Sequence, residues 1–521
     1  MTVREIARKL RAWEAGRPIP RYETIHHAVV PPAQAFIVAF IRMAGESRPW
    51  GIAWGTAEEG PTIQSVPDGR VRDDVAVLCA EFAEALLAHM RVHNWTYDPV
   101  DQDAVPEVLR QVWLPNGQHL AMLHQLNYTY SQTNYGGENQ DILRALGRLA
   151  GWMFRDTFRV GSQHVVNASA ALDQAYAFPA QPARIAHLGY QLGWLDTPGG
   201  RTERMSAATA AEGFTVAPTL DPVLDRDQLS DLVGTWQQLR RDGGDNSGTG
   251  ASIGRILENE LRRRWELTER AYRLLVENDR PVNSGVPTLV SEAHNEFWFQ
   301  HQRIELRIND PSQGPAFVAH PETDFHGSAA ASRYLIHSAA DEAHVGCLIH
   351  DDHELFSEAL DQGKAVRARV GEVRDVGIGR ATIPQWELRL DPALPNRLRE
   401  SGRLVPLGSR GHEATVVSID SNETELVVSI EWTGRKTIPL ACGIGARPGD
   451  ASWAGEEVAF VMSDAADLTR RRSTRVWKAK DGPGAWLTHG RAPVQVEITT
   501  DDGDTDLLID DVRQLEADAE A

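Results

Sequence analysis

Histidine is the side chain whose ordinary titration lies nearest neutral pH and the commonest neutral metal ligand, and in this chain it is unevenly spread. Six of the 18 histidines, His320, His326, His337, His344, His350 and His353, fall within 34 residues, where an even distribution would place about one. Asp351, Asp352 and Cys347 stand among them. Imidazole, carboxylate and thiolate are the donors that hold zinc, iron or manganese. His337, His344, His350 and His353, with Asp351 or Asp352, therefore form a candidate site for a metal-dependent hydrolase. The spacing limits it: 344, 347, 350 and 353 step by three, so a strand sends them to alternating faces and a helix turns each by about 300°. A loop alone could converge all four, and the helical HExxH pattern is absent. Half-exposed strand and cap positions account for the same residues more simply.

The segment "DEAHVGCLIHDDH" (341–353) also opens with four letters used as the acidic motor motif of many helicases. A motor needs a phosphate cradle as well, because glycine-loop amides and a lysine hold the β- and γ-phosphates while the acid positions magnesium and water. No GxxxxGK[ST] is present: "DQGKAV" lacks the earlier glycine and a hydroxyl after Lys364, "TGRKT" inserts Arg435, and "GGDNSGTGAS" has no lysine. Asp341 follows "SAA" rather than closing an apolar strand. The letters GASIG (250–254) fit GxSxG but follow a Gly/Asp/Asn-rich stretch rather than the apolar strand a nucleophile elbow needs, and a GxGxxG loop is missing. We therefore assign no catalytic residue and expect neither a metal nor a cofactor.

Charge points elsewhere. The net charge is −20, but residues 497–521 hold ten acids and one base, so this tail carries −9 of it. Upstream, Arg470, Arg471, Arg472, Arg475, Lys478 and Lys480 lie in an eleven-residue run without an acid, with Trp477 among them. Such a run can meet phosphates, and an aromatic ring can stack on a base. The alternative is a solvated helix face with Trp477 packed inward. Three cysteines, Cys79, Cys347 and Cys442, are too few and too far apart for a disulfide framework or a thiolate zinc site, which fits a reducing cytoplasm. The first residues lack the apolar stretch of a signal peptide, and no apolar run is long enough to span a bilayer, so no membrane partner is expected.

Length and patterning predict a multidomain α+β protein. "AFIVAFIRMA" (35–44), "RPWGIAWGT" (48–56) and "PTIQSVP" (61–67) read as strands, and Val75, Leu78, Cys79, Phe82, Leu86 and Met90 form one helical stripe, giving a β-β-β-α domain over 1–104. Residues 105–241 read as a helical domain. "RRDGGDNSGTGAS" (240–252) reads as a linker, after which Ser252 caps a long helix striped by Ile253, Leu257, Leu261, Trp265, Tyr272 and Val276. That helix and a mixed α/β segment make up 252–362. A mostly-β region with a small barrel follows over 363–496, and 497–521 is the acidic tail. Between the strands, "DHELFSEALDQG" (352–363) reads as a helix with an Asp start and a Gly stop.

Two resemblances add to this reading. The β-β-β-α opening followed by "HNWTYDP" (93–99) resembles the ribonuclease H-like nuclease fold over about 65 residues; there, acids on the first strand hold two metal ions, whereas "AFIVAFIRMA" has none and Asp98 stands alone. That resemblance implies an inactive relative. "LRESGRLVPLG", "GHEATVVSID" and "ELVVSIEW" resemble the barrel region that precedes the motor core of superfamily 1 helicases acting on DNA or RNA, over about 150 residues. This implies a non-catalytic accessory subunit of a nucleic-acid processing machine, such as a host-defence system, binding nucleic acid through Arg470, Arg471, Arg472, Arg475, Trp477, Lys478 and Lys480 and working beside an ATPase, helicase or nuclease partner. A protein-interaction scaffold without a nucleic-acid role is the third reading.

Overall fold

The structure is a computed structural model that describes residues 3–90, 109–158, 163–180, 184, 186–283, 286, 346, 348–378, 381–409, 412–421, 425–432 and 447–462. After α1 (Val3–Ala15) and a two-residue strand β1 (Ile19–Pro20), the chain builds a sheet from β2 (Ala35–Ile41), β3 (Gly51–Thr56), β4 (Thr62–Ser65), β5 (Gln111–Leu114) and β6 (Val165–Asn167), in the order β4-β3-β2-β5-β6. β2 runs antiparallel to β3 and parallel to β5, and β6 is parallel to β5. All seven residues of β2 are buried, because helices cover both faces of this central strand. α2 (Arg72–His89) lies on the face of Val38 and Phe40, where Phe82 meets the rings of Phe40 and Trp54 edge-on. The opposite face takes the 30-residue helix α9 (Ser247–Val276): Tyr272 meets Trp113 edge-on and donates its hydroxyl to Val30 O at 2.7 Å. Its stripe Ile253, Leu257, Leu261, Trp265 and Tyr272 is buried as the spacing predicts.

Two local features depart from the periodicity. β5 and β6 lie in the segment that reads as helical, and they complete the sheet beside α3 (Gly117–Tyr130), α4 (Gln140–Asp156) and α5 (Ala168–Ala175). β5 is buried throughout and β6 has only three residues, so neither shows the alternation that betrays a half-exposed strand. The long helix also begins at Ser247 rather than after Ser252. Asp245 Oδ1 accepts the Ser247 N–H at 2.9 Å, and Ser252 instead donates its hydroxyl back to Gly248 O. Gly250 lets this first turn approach α8 (Ser230–Arg241): a Cβ there would sit 3.4 Å from Trp236 and from Pro67. Packing thus turns a glycine-rich stretch into helix. α6 (Leu188–Asp196) and α7 (Arg201–Ala211) pack on each other beside this core, where Gly193 allows the close approach to Ala208.

The second unit is a closed barrel of six antiparallel strands in the order β10-β11-β12-β9-β8-β13: β8 (Ala365–Ile378), β9 (Ala381–Leu390), β10 (Arg403–Pro406), β11 (Ala414–Ser421), β12 (Leu426–Trp432) and β13 (Glu457–Met462). Closure removes the edge N–H and C=O groups that would pair with other chains. Register shifts at Val370/Val373 and Val416/Ser418 bend the two strands around so small a circumference. Trp386, Trp432, Trp453 and Phe460 fill the interior, with ring centres 4.8 to 6.0 Å apart. The indoles of Trp386 and Trp453 donate to Pro448 O and Arg447 O at 2.6 and 2.9 Å.

The units meet at α10 (His353–Asp361). Asp352 caps it: Oδ1 accepts from Glu354 N and Leu355 N at 3.0 and 3.1 Å. At the other end the Lys364 N–H reaches Ala359 O and the Gly363 N–H reaches Leu360 O, with Gly363 at φ +68°, a glycine-dependent helix stop. Asp352 Oδ2 accepts from Glu23 N and Thr24 N at 2.7 and 3.3 Å, tying the first unit to the helix that feeds the barrel. α1 lies alongside, with Arg8 paired to Glu358 at 2.7 Å and to Glu354 at 3.6 Å, and Arg4 paired to Asp361 at 2.5 Å. Replacing Asp352 with Ala leaves four buried or half-buried amides without their acceptor. Chemical denaturation should show a loss of about 3 kcal/mol, with Asp352→Asn intermediate because one acceptor oxygen survives.

Candidate functional site

The histidine cluster divides between described and undescribed residues: His320, His326, His337 and His344 lie outside the described residues, as do the DEAH letters Asp341 to His344. His350 Nδ1 accepts from the Gly408 N–H at 3.1 Å, which links the segment to the barrel. His353 is exposed at the first turn of α10. Asp352 is buried at 1% exposure, and both of its oxygens are taken by four amide N–H groups. A carboxylate engaged in this way serves as a cap and a tie, with no lone pair directed at an ion. Among the described residues, no group of three or more His, Cys, Asp and Glu side chains could hold a metal ion. The nucleic-acid candidates Arg470, Arg471, Arg472, Arg475, Trp477, Lys478 and Lys480 lie outside the described residues, as does "HNWTYDP".

In an open sheet with parallel strands, ligands approach the carboxyl ends of the strands, where loops diverge and helix N-termini converge. Here those ends belong to β2, β5 and β6. Asn116 follows β5 and caps α3 by accepting from Gln118 N at 3.0 Å, and Asn167 ends β6 and caps α5 by accepting from Ala170 N at 3.2 Å. The loops are drawn together by the Ser169 N–H, which donates to Pro115 O. Beyond Ile37, β2 has no β5 partner, since the parallel pairing stops at Ile37 and Trp113. A separate segment fills the gap: the Arg42 N–H donates to Pro218 O at 2.9 Å, and Arg42 and Thr219 form a parallel bridge.

His119 and Arg264 hold that segment in place. His119 Nδ1 accepts from the Phe40 N–H at 3.1 Å, so the ring proton sits on Nε2, which donates to Val216 O at 2.8 Å. Arg264 donates to Ala217 O at 2.9 Å and pairs with Glu260 at 2.7 Å, while its guanidinium is nearly inaccessible. Burial pushes the His119 pKa down to about 3, with Arg264 nearby adding to the effect and the Val216 carbonyl opposing it. Both imidazole nitrogens are thus spent on backbone groups, and the ring stays neutral across the physiological range. It works as a clamp and offers no base to a substrate. The sequence carries half of this signal: Asn116 three residues before His119 marks a helix start, but the partners Phe40 and Val216 are 79 and 97 residues away.

Two other buried groups carry potentially reactive atoms. His164 Nδ1 lies 3.6 Å from Asp156 Oδ2, with the Trp152 ring edge-on to the imidazole. The pair is sealed from solvent, His164 being 1% and Asp156 5% exposed, so no substrate reaches it. Cys79 is fully buried, and its thiol is pushed up to about 12 by that burial, against a hydrogen bond with Tyr130. A thiol held protonated is inert as nucleophile and ligand.

Comparison with protein-family models, curated proteins and solved structures finds no match to this chain. No described helix is long and apolar enough to cross a membrane.

His119 makes a pH prediction. A folded pKa near 3 lies below the unfolded value of about 6.5, so the unfolded chain takes up the proton first and stability falls as pH drops below 6.5. Between about pH 7 and pH 5, the wild-type chain should lose about 2 kcal/mol more in urea unfolding than His119→Asn, which cannot titrate.

Proposed function

We propose that this chain is a non-catalytic accessory subunit of a nucleic-acid processing machine, in which it carries nucleic acid or a partner ATPase, helicase or nuclease. The observation that carries the non-catalytic part is the closure of the carboxyl ends of β2 and β5. There His119 has no nitrogen to spare, Arg264 is enclosed, and the 216–219 backbone fills the place a substrate would enter. β2 contributes no carboxylate to that end. A two-metal nuclease needs at least two acids converging there.

The sheet supports the resemblance to an inactive ribonuclease H-like nuclease: three antiparallel strands are followed by two strands parallel to the first, with helices between. The barrel supports the resemblance to the region ahead of a helicase motor, since a small closed barrel binds through its loops and open ends. The clamp of α1 and Asp352 on α10 would fix the barrel to the first unit, as expected of a chain that positions a partner. The basic run from Arg470 to Lys480 supplies the phosphate-binding chemistry. The metal-hydrolase reading draws no support from Asp352, whose oxygens are already occupied by amides.

The test is a binding titration of the whole chain with fluorescent single-stranded and duplex oligonucleotides at two salt concentrations. Affinity should fall by roughly 50-fold between about 50 and 200 mM salt if four phosphates of a single strand are contacted. The variant carrying Arg470→Ala, Arg471→Ala, Arg472→Ala and Arg475→Ala should lose most of that salt dependence. Salt-independent affinity, or binding unaffected by the four substitutions, overturns the nucleic-acid role. Cleavage of an oligonucleotide by the isolated chain, or stoichiometric zinc, manganese or iron in the purified protein, overturns the non-catalytic one.

A further inference from the structure

The helix α1 is turned inside out. Its inward face is polar: Arg4, Glu5 and Arg8 reach Asp361, Arg21 and Glu358, with Arg8 4% exposed. Its apolar residues at helical spacing, Ile6, Leu10 and Trp13, are instead 43%, 56% and 44% exposed. An amphipathic helix normally buries that stripe. Here the inward ion pairs hold it outward, because turning α1 over would break the Arg8 pairs and leave the half-buried carboxylates of Glu354 and Glu358 facing apolar side chains. Met205, 42% exposed, lies one turn along α7 from Arg201, whose guanidinium covers the Trp13 ring at 4.5 Å. The patch is bordered by the exposed bases Arg17 and Arg201 and by Arg11, which also pairs with Glu354 at 3.7 Å, with Glu14 and Glu203 as the exposed acids nearby.

The charge of the border and the place where the described chain ends select an occupant. β13 finishes at Met462, whose N–H donates to Lys364 O at 2.9 Å, three residues beyond the end of α10. Met462, which 59 residues follow in the sequence, thus stands beside the helix on which α1 rests. The last 25 of those residues carry ten acids and one base, and within them Leu508, Val512, Leu515 and Ala519 recur at steps of four, three and four, the spacing of one helical face, with Asp511 and Glu516 adjoining. A second copy of α1 fits less well, since its own exposed arginines would meet the same basic border.

We propose that the acidic C-terminal segment 506–519 docks on the outward face of α1, its Leu508, Val512 and Leu515 covering Ile6, Leu10 and Trp13 and its acids facing Arg17 and Arg201. The contact is intramolecular, so its effective concentration is high and a short apolar patch suffices.

The experiment places p-benzoylphenylalanine at position 10 of the full chain, an exposed site where a larger ring is tolerated, with position 128, 84% exposed, as the control. After irradiation, the position-10 adduct should map to residues 506–519 at the mass of one chain. Its yield should fall at least fivefold with Leu508→Asp and Val512→Asp, and also at high salt, with the circular dichroism spectrum unchanged. An adduct at twice the chain mass, an adduct in another segment, a yield no higher than from position 128, or a yield indifferent to the two substitutions overturns the proposal.

Discussion

The carboxylate of Asp352 sits where two distant chain segments meet. One oxygen closes the first turn of α10; the other accepts two amides from the stretch that leads into the sheet, some 330 residues away in sequence. A charge this deeply buried is tolerable because four donors replace its water. The barrel's approach to the first unit is then set by a group that cannot move without leaving amides unsatisfied. Arg8, flanked by Glu354 and Glu358, adds a second buried constraint, and Arg21 ties α1 to α5 through Glu5 and Asp173. The outward turn of α1 follows from these contacts.

The same reasoning explains why the sheet's carboxyl ends are structural. Parallel β5 is too short to cover β2 along its length, so Phe40 and Arg42 would face the interior with unpaired amides. His119 and Pro218 take those hydrogen bonds, and Arg264 secures the segment between them from the other face of the sheet. Each donor has an acceptor. The result is a sheet end whose exposed amides are paired, and the histidine is kept neutral by the burial that makes it effective as a clamp.

In the barrel the constraint is geometric. Six strands enclose a space that side chains must fill, and three indoles with one phenyl ring do so while two of the indoles donate to the backbone at 447–448. The outer surface carries matched charges, such as Arg369 with Glu457 and Arg389 with Glu387, which keep it solvated at little energetic gain.

Much of the local structure was legible in the sequence. The alternation of "PQWELRL" and "ELVVSIEW", the seven-residue apolar run of β2, the stripe of α9, and the Asp and Gly that bracket α10 each depend on chain-local physics: side-chain period, capping and backbone freedom. β5 and β6 were not legible, because strands of four and three residues, the first buried throughout, are too short to show a period, and neither was the start of α9, where Trp236 and Pro67 make helix of a glycine-rich stretch. The role of Asp352 was half legible: its letter marked a helix start, while its place among histidines suggested a ligand. Tertiary structure alone decided that both oxygens face amides, that His119 meets Phe40 and Val216, and that α1 shows its apolar side to solvent. Those outcomes rest on contacts between residues tens to hundreds of positions apart, which no local pattern encodes.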